Sequence, residues 1–147
     1  MVSIETIVQK GMRNQGECSM SLPANAPPVA FVLTADRSRS KPFYAGILGL
    51  KALGEDDHAV TFDLGNRTPM RLTTMPGHKG SGHTVLGWHV ADIRAVVQDL
   101  KAKGVQFQVY EGFGQDADGV WSSPDGGAKV AWFPDPDGNL LSLTQFG

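Results

Sequence analysis

The sequence is poor in the features that mark secreted, membrane-spanning or nucleic-acid-binding chains. Its 147 residues include one cysteine, Cys18, which excludes an intrachain disulfide and a cage of several thiolates. No run approaches the roughly 20 apolar residues of a membrane span. The N-terminus lacks the continuous apolar core of a secretory signal, so a cytoplasmic location is expected. Charge of one sign is also lacking: 13 Lys and Arg against 15 Asp and Glu leave a net charge of -2. There is no global basic field to hold a phosphate backbone, which argues against nucleic acid as a partner. What is present is a globular balance, 41% hydrophobic and 19% charged, in a chain long enough for one cored domain.

Residues 1–27 read as an extension and linker. Ile4, Ile7 and Val8 share a face of a short helix that Gly11 and Gly16 weaken, and Met20 is an alternative start. Leu22 to Pro28 (LPANAPP) is stiff and cannot continue a helix. The body, residues 28–147, then repeats one pattern, in modules of about 28–76 and 84–146. Val29 to Thr34 is an apolar strand, Asp36 follows, and Ser38 to Leu48 has helical periodicity with Gly49 as its stop. Strands are expected at Lys51–Gly54, Ala59–Leu64 and Met70–Met75. The second round runs Val85–Val90, Asp92, a helix Ile93–Lys103 stopped by Gly104, and strands Val105–Tyr110, Lys129–Phe133 and Leu140–Thr144. Each half is therefore β-α-β-β-β, and the fold class is α+β with an internal repeat.

Three segments carry a family likeness: Asp36 with Phe43-Tyr44 and Leu48-Gly49-Leu50; Asp92 with the helix ending at Gly104; and Trp132-Phe133-Pro134-Asp135-Pro136-Asp137-Gly138-Asn139-Leu140-Leu141. In these the chain resembles the vicinal oxygen chelate superfamily of glyoxalases, bleomycin resistance proteins and extradiol dioxygenases. The resemblance implies two βαβββ modules forming a curled mixed sheet around a cleft, with helices on the convex side. It also implies a homodimer. Strand alternation agrees with two unlike faces: Leu86, Trp88 and Val90 against Val85, Gly87 and His89; Leu141 and Leu143 against Leu140, Ser142 and Thr144; Met70 and Leu72 against Arg71 and Thr73.

Metal-dependent relatives place four His or Glu ligands, sometimes Gln, on four cleft strands. Counting from Asp36, Asp92 and Gly138, and along the first half's last cleft strand, puts Val29, Arg71, Val85 and Ser142 at these positions. None is a good ligand for a divalent ion, and Arg71 would repel one. His83 and His89 lie six residues apart, roughly 20 Å along a strand, too far to share an ion. His58 and His78 lie in or beside turns, which leaves one His with Glu111 as a remote substitute. No metal and no cofactor is expected, and with them go metal-assisted isomerisation and ring cleavage.

The cleft candidates are then Arg71, whose fork suits an anion or is held by a nearby carboxylate; His89, a ligand contact or base; Thr73 beside Arg71; Phe31, an apolar wall with Leu33; and Ser142. Trp121 is either a stacking platform or the anchor of the Glu111–Gly127 loop, a segment long enough to be a lid. Phe43 and Tyr44 are expected to pack helix on sheet, and Trp132 and Phe133 to be core or rim. Two functions follow. One is a metal-free protein binding a partly apolar, anionic or planar small molecule. The other is a lyase, isomerase or dioxygenase-like enzyme using His89 and Arg71 or relocated metal ligands. A role in protein association is a weaker third.

Overall fold

The structure is a computed structural model and describes residues 21–147. Cys18, Met20 and the segment containing Ile4, Ile7 and Val8 lie outside the described residues. Two modules follow one another with the same wiring. The first comprises β1 (Ala30–Thr34), α1 (Arg37–Pro42, continued by a π-helical turn Phe43–Ile47), β2 (Lys51–Glu55), β3 (Ala59–Asp63) and β4 (Pro69–Thr74). The second comprises β5 (Thr84–His89), α2 (Ile93–Ala102), β6 (Trp121–Ser122), β7 (Ala128–Pro134) and β8 (Leu140–Phe146). Strand orders are β1-β4-β3-β2 and β5-β8-β7-β6, so the repeat read from the sequence is a repeat of topology. In each sheet the module's first strand runs parallel to its last, and the other pairs are antiparallel. Among the described residues no helix is long and apolar enough to cross a membrane.

The repeated aspartates open the helices as expected. Asp36 caps α1 by accepting from the Ser38 N–H at 3.0 Å, and Asp92 caps α2 by accepting from the Ala95 N–H at 3.1 Å. Two readings need correction. The expected helix Ser38–Leu48 stays α-helical to Pro42 and then widens into the π turn. Pro42 has no N–H to give the ladder, and a single wide turn absorbs the mismatch. Val105–Tyr110 is not a ladder strand: it runs beside β7 through a bond from Gln108 N–H to the Trp132 carbonyl at 2.8 Å. The strand that pairs with β7 there is the two-residue β6, which the sequence did not suggest.

Ladder register settles which side chains share a face, because directly paired residues point the same way. Val32, Leu72 and Val60 align across the first sheet, and Leu86 and Phe133 flank Leu141 in the second. Together with Phe62, Met70, Ala131 and Leu143 they meet Ile93, Val97 and Leu100 of α2 in a common core, the helix-bearing convex side. Phe43 and Tyr44 are buried there, Tyr44 edge-on to Phe43 at 5.1 Å and Phe43 6.5 Å from Phe133 of the other module.

The modules are clasped by the turn between β7 and β8. Asp137, whose side chain is 0% exposed, accepts from the Ala35 N–H at 2.8 Å, the Ser40 hydroxyl at 2.6 Å and Arg39 at 2.7 Å. Because the Ser40 proton goes to Asp137, Thr34 must donate to Ser40 (2.7 Å) while accepting from the Asp36 N–H (3.2 Å), a directional chain ending on a carboxylate. Asp135 accepts from Tyr44 OH at 2.6 Å. Burial, and then the Asp135 charge beside it, push the Tyr44 pKa up, so the phenol stays a donor. Gly80 donates to the Asp137 carbonyl at 2.9 Å, and a Cβ there would overlap the Gly138 backbone.

Gly80→Ala is expected to cost about 2–3 kcal/mol of stability, the penalty of overpacking against unyielding backbone. Burial raises the Asp137 pKa, but the Ser40 hydroxyl, the Ala35 N–H and Arg39 outweigh it and hold the carboxyl below its ordinary value. Its stabilising contribution is therefore complete above the unfolded value, near 4, and is lost as pH falls through the lower folded value. Asp137→Asn should lose about 2 kcal/mol at pH 7 and show a shallower acid limb in urea denaturation followed between pH 7 and 3. A steep limb unchanged by the substitution would place the acid-sensitive group elsewhere.

Candidate functional site

The face opposite the core is mixed in character. On the first sheet Phe31, Arg71 and Thr61 form one row, and Leu33, Thr73 and Ala59 the next. On the second sheet Gly87, Ser142 and Trp132 form one row, and His89, Thr144, Val130 and Trp121 the next. The six candidate side chains thus lie on the concave faces of the two sheets, Arg71, Phe31 and Thr73 on one and His89, Trp121 and Ser142 on the other. Phe31 (64% exposed) and Val85 meet where β1 approaches β5, lining a hollow of about 230 Å³.

Arg71 is already engaged. Its guanidinium donates to the Thr61 hydroxyl at 3.1 Å and to Asp56 at 2.9 Å, with its side chain 31% exposed. Asp56 is held down to about 2 by the backbone N–H groups of His58 and Ala59, with Arg71 adding to them. His89 is exposed and stands edge-on to Phe146 at 5.1 Å. It stands on the second sheet and Arg71 on the first. Ser142 is buried over Gly87, where any Cβ would collide with the serine hydroxyl. Trp121 is half-buried in β6, opposite Val130. The loop before it is tied back to α2 by Arg94–Asp116 at 2.7 Å and Lys101–Asp118 at 3.1 Å. Gln115 braces it internally, bonding Tyr110 N–H and the carbonyls of Gln108 and Gly119.

Sequence reasoning passed over an aromatic group on this face. Trp132 shares the Ser142 row and packs edge-on against Tyr110 (5.8 Å) and Phe113 (6.3 Å), which lie 5.3 Å from each other. Alternation from the buried Phe133 would have pointed Trp132 to the cleft, but its two partners come from a segment without strand periodicity. A larger hollow, about 270 Å³, lies on the helix side between the π turn and α2, lined by Leu48, Trp88, Val96 and Leu143. Lys103 and Asp99 at its rim neutralise each other at 3.2 Å, and His89 also borders it.

Pairing shows which residues stand opposite one another on the four cleft strands. The β1 residue opposite Arg71 is Phe31 rather than Val29, which precedes the strand. An irregularity between Thr84 and Leu86 displaces Val85, leaving Gly87 opposite Ser142. Phe31, Arg71, Gly87 and Ser142 suit a divalent ion no better than Val29, Arg71, Val85 and Ser142. Among the described residues no three His, Cys, Asp or Glu side chains come together as a metal-holding group. The donor set does not fit the metal of metal-dependent relatives.

The family described as Glyoxalase/Bleomycin resistance protein/Dioxygenase superfamily matches residues 27–143. The chain belongs to this superfamily. Comparison with curated proteins finds no match. Among solved structures, a superfamily member from Sphaerobacter thermophilus DSM 20745 is 25% identical with a TM-score of 0.65, covering 84% of this chain and 99% of that one. TnmS3, an antibiotic binding protein from Streptomyces sp. CB03234, is 22% identical with a TM-score of 0.64, covering 86% and 100%. Lactoylglutathione lyase from Agrobacterium tumefaciens is 16% identical with a TM-score of 0.64, covering 84% and 96%. The last two likenesses establish the shared fold. Superfamily membership makes the altered ligand positions testable: titration of untagged protein with Ni, Zn, Fe and Mn should show no tight one-to-one binding. A stoichiometric ion held in the cleft would overturn the ligand argument.

Proposed function

We propose that this superfamily member is a metal-free small-molecule-binding protein that holds a partly apolar, planar compound on its concave face. One observation carries the reading. The paired positions on the four cleft strands hold Phe31, Arg71, Gly87 and Ser142, while Trp132 with its Tyr110 and Phe113 neighbours, and Trp121, bring aromatic surface to the same face. A site without a Lewis acid but with aromatic walls favours stacking and burial over bond-making. Gly87 keeps the floor low beside Ser142, and Phe31 adds an apolar edge.

The charge of the ligand follows from Arg71. A carboxylate or phosphate there would share the guanidinium with Asp56, so neutral or weakly polar planar compounds are favoured over strong anions. The description of TnmS3 as an antibiotic binding protein supports a sequestering role and makes planar aromatic antibiotics the first compounds to test. A homodimer, twice the 15.7 kDa chain mass, is part of the same proposal and is checked by light scattering.

A thermal-shift screen of planar aromatic antibiotics beside non-aromatic metabolites tests the reading, since a ligand selective for the native state raises the melting temperature. The aromatic set should give the shifts, and these should persist in a chelator. Trp132→Ala should weaken a hit by about 1–2 kcal/mol in calorimetric titration. Arg71→Ala should weaken anionic hits alone. Binding that survives unchanged in both Trp132→Ala and Trp121→Ala would move the ligand off this face.

A further inference from the structure

The hollow of about 230 Å³ at the β1–β5 seam has a polar end that the family likeness does not account for. Phe31, Leu33 and Val85 form its apolar wall, and His78, Ser81 and His83 face them. His78 is half-buried, and its Nε2 lies 2.8 Å from Asn139 Oδ1.

The protonation pattern of that contact follows from the clasp. Asn139 is 3% exposed, and its amide nitrogen donates at 2.8 Å to the Leu33 carbonyl and at 2.8 Å to Asp135. Both partners are acceptors, Asp135 taking two backbone N–H groups and the Tyr44 hydroxyl as well. Turning the amide over would set oxygen against oxygen at both contacts, so the orientation with Oδ1 toward His78 is the satisfied one. An amide oxygen only accepts, and His78 Nε2 must therefore carry the hydrogen. In the neutral ring the lone pair then resides on Nδ1, which becomes the acceptor offered to a ligand. Asn139 is a positioning residue: it selects the tautomer.

We propose that this seam hollow takes the weakly acidic O–H of a phenol or enol, which donates to His78 Nδ1 while its ring lies against Phe31 and Val85. The inference rests on the concave-face reading, since Phe31 borders both. A carboxylate is excluded as the preferred group because, like neutral Nδ1, it has no hydrogen to give near neutral pH. His83 supplies a second, adaptable partner: its Nδ1 lies 2.7 Å from the Ser81 hydroxyl, and either atom can donate. A hollow of this size accommodates about one or two fused rings rather than a large antibiotic, so it would receive one end of a longer planar ligand.

Two measurements test this. Long-range proton–nitrogen NMR of histidine-labelled full-length protein should show neutral His78 as the Nε2–H tautomer; the Nδ1–H tautomer would overturn the inference without any ligand being added. Calorimetric titration with 2-naphthol and its methyl ether, identical except for the O–H, should show 2-naphthol binding roughly 5- to 10-fold more tightly. In His78→Phe that preference should vanish while the ether binds as before. Equal affinity of the two probes, or a preference that survives in His78→Phe, would overturn the seam site alone and leave the concave-face reading standing. Failure of both probes to bind would overturn the planar-ligand reading together with this inference.

Discussion

Two aspartates buried in one tight turn set the terms for this fold. A carboxylate removed from water must have its oxygens satisfied, and the turn from Asp135 to Asn139 satisfies some of them within itself through the N–H groups of Asp137 and Asn139. The rest of the demand is met by the first module: Tyr44, Ala35, Ser40 and Arg39 donate into the turn, and Asn139 donates out to Leu33. Separating the modules would break all of these hydrogen bonds, several of them to charged carboxylates. This polar seam, together with the shared apolar core, holds the concave faces in one arrangement.

The site is a consequence of that arrangement. With the modules held and both registers set by the core alternation, the inner faces present whatever the sequence places at alternate positions. Phe31 stands opposite Arg71 and Gly87 opposite Ser142 on these faces, and the one charge among them is answered by Asp56. What remains is aromatic surface, a few hydroxyls and two histidines near the seam. This inventory is what the proposed recognition of a flat molecule with a hydrogen-bonding edge draws on. The clasp also orders the histidine next to it, so the element that unites the modules sets the chemistry at one end of the cleft.

Much of this was legible beforehand because it depends on local rules. The Asp36 and Asp92 caps, the stops at Gly49 and Gly104 (both at positive φ) and the alternation that separates Leu141 from Ser142 all follow from neighbouring residues. Pro42 in the first helix was visible too, but whether a proline ends, kinks or widens a helix depends on what the following turn packs against. Here the burial of Phe43 and Tyr44 keeps the chain coiled. The aromatic group of Trp132, Tyr110 and Phe113 was missed because its members come from a strand and from an irregular segment that shares no period with it.

The sequence by itself determined the repeat, the fold class, the caps and which face of each strand is apolar, since each rests on interactions within a few residues. Tertiary structure alone decided that Phe31 rather than Val29 stands opposite Arg71, that Asp56 neutralises Arg71, and that Asn139 meets His78 across 61 positions. Contacts between distant segments depend on strand register and module docking, and these are settled only when the whole core closes.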